Sequence, residues 1–199
     1  MARSLLPPGL GKHSDHLRHD PKASIPRGGL PQKLILVTVW GPRPYLPRPR
    51  QVANAVADQL RRLGVEVEVE LTESSDAYFK RLRGGRYDLV LGGWNADTTD
   101  PIDYLRSTVG SAGIPAFGRS PATTGNYSRI EDHEIDRALV QGRRSGAEST
   151  VRAILERVAD LAPCVPIMYG PRVIVHSWRV KGFDPKGILP DLSGVTLED

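Results

Sequence analysis

RYDLVLGGWNADTTDP, residues 86–101, is the stretch that decides the fold. Its apolar run, Leu89, Val90 and Leu91, is bounded by turn residues and reads as a buried strand, central in a sheet. Gly92 and Gly93 then let the backbone come close to a neighbour. Trp94 and Asp97 follow where the strand delivers the chain to its carboxyl end, the edge at which open α/β sheets bind ligands. An aromatic plate beside a carboxylate suits a small ligand carrying a positive charge. The bland alternative makes Trp94 core filling and the aspartates helix caps. It fits Asp100, because Asp is a good N-cap and Pro101 suits the first helical position. Asp97 stands three residues before that cap, and the turn chemistry does not require it.

Upstream, Lys33 to Trp40 (KLILVTVW) is a strand rich in β-branched residues. A proline-dense loop, GPRPYLPRP, leads to an amphipathic helix of about four turns. Val52, Val56, Leu60 and Leu63 form its expected buried stripe, while Asn54, Asp58, Arg61 and Arg62 face water. Gly64 ends it. Strict alternation follows, with Val65, Val67, Val69 and Leu71 on one face and Glu66, Glu68 and Glu70 on the other. That pattern is a half-exposed strand whose glutamates are its wet face. A short helix from Ser75 to Arg83 carries Tyr78, Phe79 and Leu82 and closes at Gly84-Gly85. The order is β-α-β-α-β with short connections, which calls for parallel neighbours joined by right-handed crossovers.

Downstream, a helix runs from Pro101 through Ile102, Tyr104 and Leu105 to about Thr108. Residues 110–128 form a long loop, and loops of that length within a domain are functional or mobile. Two amphipathic helices come next. One starts near Asp132 and buries Ile135 and Leu139. The other starts at Ser149 and buries Val151, Ile154, Leu155, Val158 and Leu161. Val165 to Tyr169 and Arg172 to Ser177 read as two late strands about a Gly170-Pro171 turn. Lys181 to Asp199 is rich in glycine and proline and has no periodicity.

With 199 residues the chain is long enough for one domain with a sizeable core. Lys plus Arg exceed Asp plus Glu by only 27 to 23, the arginines are scattered among acids, and aromatics are 6%, which argues against nucleic-acid binding. The lone Cys164 excludes an internal disulfide and a Cys-rich metal site, and its apolar setting marks an inert thiol. No apolar run is long enough to cross a membrane. The start, MARSLLPPGLG, is broken by Pro7 and Pro8 and does not read as a secretory signal. Residues 1–31 look loosely structured. Within them His13, His16 and His19 recur every third residue, a spacing that on a helix would gather imidazoles for zinc or nickel. No Cys accompanies them and Pro21 shortens any helix, so a solvated loop is the competing reading and no cofactor is expected.

The chain resembles the carboxy-terminal part of the family 5 extracellular solute-binding proteins, which serve ABC importers of peptides and nickel. The resemblance is spread along the sequence: LLPPGL before His13 and Asp20-Pro21, GVEVEVEL, YDLVLGGWNADTTDP, GNYSR before the helix from Asp132, and PIMYG followed by VKGF. It implies an α/β fold, a single lobe of a periplasmic-binding-protein-like clamshell. Residues 32–178 would be the compact lobe and 179–199 a tail that returns to a first lobe, which is missing here. A cleft with one wall cannot bury most of a ligand. One departure is ASIPRGGL, residues 23–30, where the family has a longer helix.

In peptide-binding members the aspartate of the W-x-A-D segment holds the peptide's free ammonium. Asp97 occupies that place, with Gly93, Trp94 and Asn95 completing the expected ligand-binding set. Some members receive the peptide's carboxylate on basic residues of the preceding helix and strand. Leu82 and Leu91 stand there, so that role does not carry over. The implied function is solute binding for an ABC importer, of oligopeptides, with a permease and the first lobe as partners and an extracytoplasmic location. A sensory or regulatory module built from the same lobe is the alternative, since fold does not fix function. Catalysis is rejected. Ser177, His176 and Asp97 are candidates for acyl transfer, but no G-x-S-x-G elbow is present and neighbouring strand residues point to opposite faces.

Overall fold

Three parallel strands carry the first half of the computed structural model, which describes residues 2–10, 29–146, 148–170, 173–184 and 190–199. They are β1 (Lys33–Val39), β2 (Glu66–Thr72) and β3 (Leu89–Leu91), ordered β2-β1-β3, with α1 (Pro49–Arg62) and α2 (Ser75–Gly84) as the crossovers. Lys33 aligns with Glu66 and Leu36 with Leu89, both pairings parallel. The expected β-α-β-α-β order and parallel sense are both present.

Side chains alternate across β1. Leu36 joins Ala53 and Ala57 of α1 and Val65, Val67 and Leu91. Val37 and Val39 join Tyr78 and Leu82 of α2 on the opposite face. The sheet is covered on both sides, as a parallel sheet requires.

Two expectations need correction here. The central strand is β1, not the Leu89–Leu91 run, because seven-residue β1 pairs on both edges while three-residue β3 pairs with β1 alone. The line of α1 nearest the sheet is Pro49, Ala53 and Ala57. Val52, Val56 and Leu60 are half-buried beside it, and Leu63 is 48% exposed. Small alanines let the helix lie close to the strands, which pushes the larger residues to the flanks. The glutamates of β2 behave as read. Glu66 and Glu68 are exposed and meet Lys33 at 3.6 and 2.9 Å, while Glu70 receives three hydrogen bonds from Arg81.

The second half is helical: α3 (Pro101–Val109), α4 (His133–Ser145) and α5 (Glu148–Leu161). Ile102, Leu105, Ile135, Leu139, Ile154 and Leu155 form its core. Leu161, at the end of α5, is 40% exposed and does not join the buried stripe. Asp100 caps α3 by accepting the Ile102 N–H at 2.8 Å, with Pro101 in the first helical position. Asp132 caps α4 in the same way.

The chain's start departs from the expected looseness over residues 2–10. Ala2, Leu6 and Leu10 are buried, the two leucines within the helical core. The Ala2 N–H donates to the Ile167 carbonyl, and the Tyr169 hydroxyl donates to the Ser4 carbonyl at 2.6 Å. An apolar residue at every fourth position supplies the contact that the prolines obscured.

The two late strands are not found at Val165–Tyr169 and Arg172–Ser177; their described residues have no strand partner. Val165, Val173 and Val175 are 79, 76 and 89% exposed. A β-rich sequence needs a neighbouring strand to become a strand. Two short antiparallel strands occur instead at β4 (Val180–Lys181) and β5 (Thr196–Leu197), where Gly182 lies against the Gly194 carbonyl.

Candidate functional site

The first three residues after β3, Gly92, Gly93 and Trp94, are each placed by a close contact at a glycine. A Cβ on Gly92 would fall 2.5 Å from the Tyr78 hydroxyl oxygen, and one on Gly93 would fall 2.5 Å from the Tyr45 ring. Trp94 is half-buried, its ring lying directly on Gly125. These close approaches fix the turn at the carboxyl edge of the sheet, where the glycine pair was read as permitting them.

Gly125 belongs to the long loop, and the loop is ordered from within. Asn126 is fully buried, and its side-chain amide donates to the carbonyls of Gly110 and Ile130, both at 2.9 Å. Its carbonyl oxygen accepts from Ser128 at 2.8 Å. Arg129, at φ +57, donates to the Pro115 carbonyl at 2.9 Å and lies against Gly85. A left-handed non-glycine residue costs about 1–3 kcal/mol and persists only where its surroundings hold it.

Trp94 and Asp97 come together in one shallow, open depression of about 170 Å³, with Thr98, Asp103, Arg106 and Thr123. Ligand sites usually enclose roughly 300–1,000 Å³, so the depression by itself is smaller than a typical ligand site. Arg106 is committed to Asp103 at 2.7 Å. Asp97 is exposed and makes no hydrogen bond or ion pair among the described residues. It is the free carboxylate of the depression. Of the other expected ligand contacts, Asn95 is exposed and Gly93 is half-buried beneath Tyr45, and neither lines the depression.

Sequence reasoning missed a tyrosine cluster at the same edge of the sheet. Tyr78 and Tyr127 meet edge to face at 6.3 Å, and the Tyr87 hydroxyl donates to the Tyr127 carbonyl at 2.9 Å. Burial pushes the Tyr78 hydroxyl well above the usual phenol range, and that of Tyr127 likewise. Tyr104 is pushed up by burial to about 12. All three stay protonated at neutral pH. Arg43 stands close enough to Tyr45 and Tyr78 to oppose those shifts, and its guanidinium donates to Ser75 at 2.6 Å. It has no carboxylate partner among the described residues. The RPY run of the proline-dense loop was the available signal.

The remaining candidates have little chemistry. Burial pushes the Cys164 thiol up to about 11, so it is no nucleophile at neutral pH. His176 is exposed and its Nδ1 faces the Ser177 backbone carbonyl at 3.0 Å, not the hydroxyl. No group of three metal-ligating side chains occurs among the described residues, and His13, His16 and His19 lie outside them. No described helix is long and apolar enough to cross a membrane.

Residues 25–116 match the family described as bacterial extracellular solute-binding proteins, family 5 middle. The chain is 27% identical over 202 residues to the dipeptide-binding protein of Escherichia coli, covering 94% of this chain and 36% of that protein. It is 26% identical over 152 residues to di/tripeptide-binding protein 1 of Pseudomonas aeruginosa, covering 74% and 28%. A dipeptide-binding protein from a Pseudoalteromonas species, solved with Met-Leu, shares the fold at a TM-score of 0.74 and 23% identity, over 99% of this chain and 40% of that one. The chain thus spans about a third of the length of these curated relatives. Proteins of this kind bind solutes and are not enzymes. Over residues 25–116 the chain is therefore similar to the family 5 bacterial extracellular solute-binding proteins.

Proposed function

We propose that this chain forms one wall of a peptide-binding site serving an ABC importer, with Asp97 receiving the ammonium group of a bound peptide. The observation that carries this reading is the unpaired Asp97 carboxylate beside the Trp94 ring in one depression. A carboxylate with an aromatic face holds an ammonium by charge, hydrogen bonding and cation–π attraction together. Arg43, the guanidinium without an acid partner beside the tyrosines, is the complementary charge for a peptide's carboxylate end. Opposite charges on one sheet edge suit a short zwitterion. The peptide-binding names of the curated relatives support the same ligand class.

On this reading residues 32–178 are the ligand-facing lobe. Residues 179–199 dock on a complementary lobe that closes the site, and the partners are that lobe and an importer permease outside the cytoplasm. Asp97→Asn tests the charge. Calorimetric or NMR titration with a short peptide should show affinity reduced roughly 10- to 100-fold, the worth of a hydrogen bond to a charged group. Thermal unfolding should not change, because Asp97 supports nothing in the fold. Unchanged affinity would remove Asp97 from the site.

A further inference from the structure

The depression beside Trp94 is lined by two carboxylates, and one of them is already occupied. Asp103 has a partner on each oxygen. The Arg106 guanidinium donates to its Oδ1 at 2.7 Å, and the Thr98 hydroxyl donates to its Oδ2 at 3.4 Å. Asp97 lines the same depression, is exposed, and has no such partner among the described residues. Asp100, the third carboxylate of the stretch, caps α3 through the Ile102 N–H and does not line the depression. Two carboxylates and one guanidinium therefore leave the depression with a single net negative charge.

Stability gives little reason for the Asp103–Arg106 pair. It spans one turn of α3, i to i+3, and its side chains are 37% and 41% exposed. Such pairs contribute little to a fold, because water solvates both charges and ordering two side chains offsets the attraction. The pair has a clearer consequence for the site. Without Arg106, Asp103 would be a second open carboxylate in a depression of about 170 Å³ and would draw in a second cation. Arg106 holds that cation's place permanently.

We infer that Arg106 is a specificity-determining residue, which neutralises Asp103 so that the depression accepts one ligand cation and not two. The favoured ligands are peptides whose first residue carries its α-ammonium and an uncharged side chain. Peptides that begin with Lys or Arg bring a second cation, which meets an occupied Asp103 and the repelling charge of Arg106. This rests on the reading of Asp97 as the ammonium receptor, and it adds what limits the ligand's charge.

Calorimetric titration of the full chain with Met-Leu and with Lys-Leu tests the inference, since the two peptides differ in the charge of the first side chain. Arg106→Gln should melt close to the parent, because the exposed pair contributes little to the fold. It frees Asp103, so affinity for Lys-Leu relative to Met-Leu should rise roughly 2- to 5-fold, the worth of a solvent-exposed ion pair. Added salt should shrink that gain by screening. Arg106→Lys keeps the charge and should keep the parent's ratio, which separates charge from shape. Asp103→Asn should act in the opposite sense. It leaves Arg106 unneutralised beside Asp97, so both peptides should bind more weakly, and Lys-Leu should lose more.

A ratio unchanged in Arg106→Gln, or in Asp103→Asn should the first variant not fold, would overturn the inference. With Asp97→Asn still impaired for Met-Leu, that result would leave the ammonium reading standing. If Asp97→Asn binds Met-Leu as the parent does while Arg106→Gln still shifts the ratio, the ammonium reading falls and the role of Arg106 stands. Failure of the parent to bind either peptide would overturn both.

Discussion

Single carboxylates in this chain do three different jobs, and their surroundings decide which. Asp100 is an N-cap and was legible as one, since an Asp before a Pro at the head of an apolar pattern has a local explanation. Asp97 was legible only as a residue without such an explanation. Asp132 combines a cap with an ion pair. It accepts from Glu134 and Ile135 backbone N–H groups and meets the Arg157 guanidinium at 2.8 Å. The hydrogen bond from Arg157, then those of the backbone, hold its carboxyl below the usual carboxylate range. A depressed folded value stabilises above the unfolded pKa of ~3.9, and that stabilisation is lost as pH falls through the folded value. Asn caps a helix as well as Asp does but carries no charge. Asp132→Asn should therefore flatten the loss of stability below about pH 4 while α4 remains formed. Urea midpoints measured from pH 2 to 7 would show it. A steep acid limb unchanged in the variant would mean that the pair contributes nothing.

Among the elements, those with strong periodicity or plain punctuation were readable in advance. The alternation from Val65 to Leu71 gave β2 its register, and Gly85, in the left-handed region at φ +65, ends α2 as its position suggested. Contacts set by tertiary packing were not readable. The alanines of α1, not its valines, lie against the sheet, because helix-to-sheet distance is fixed by both partners. The long loop has no periodicity to read because its order comes from polar side chains, with Asn126 buried within it and Arg129 and Asp136 bonded to its backbone. Asn126 ties Gly110 to Ile130, and a periodicity count cannot register such a hub. Asn126→Ala should strand two carbonyls at a cost of about 1–3 kcal/mol each. Asn126→Asp should do worse still, since a carboxylate cannot donate to either. Urea denaturation is the measurement, and a loss under about 0.5 kcal/mol for Asn126→Ala would show that water replaces the side chain at little cost.

At the scale of the whole molecule, the open depression and the exposed apolar residues Val165, Val173, Val175 and Trp178 lie in a chain that spans about a third of the length of its relatives. The fold class could be read because glycine, proline and apolar spacing are local signals. The site could be read only in part. Trp94 and Asp97 are near in sequence, whereas Tyr45, Tyr78 and Tyr127 reach the same edge from three separate elements. The central claim is that Asp97 answers a ligand's positive charge. Its most direct test is calorimetric titration of the protein with a dipeptide and with the same dipeptide acetylated at its amino terminus. Acetylation removes the ammonium charge and leaves the rest of the peptide in place. The free dipeptide should bind roughly 10- to 100-fold more tightly, and the difference should vanish in Asp97→Asn. Equal affinity for the two peptides would contradict the claim.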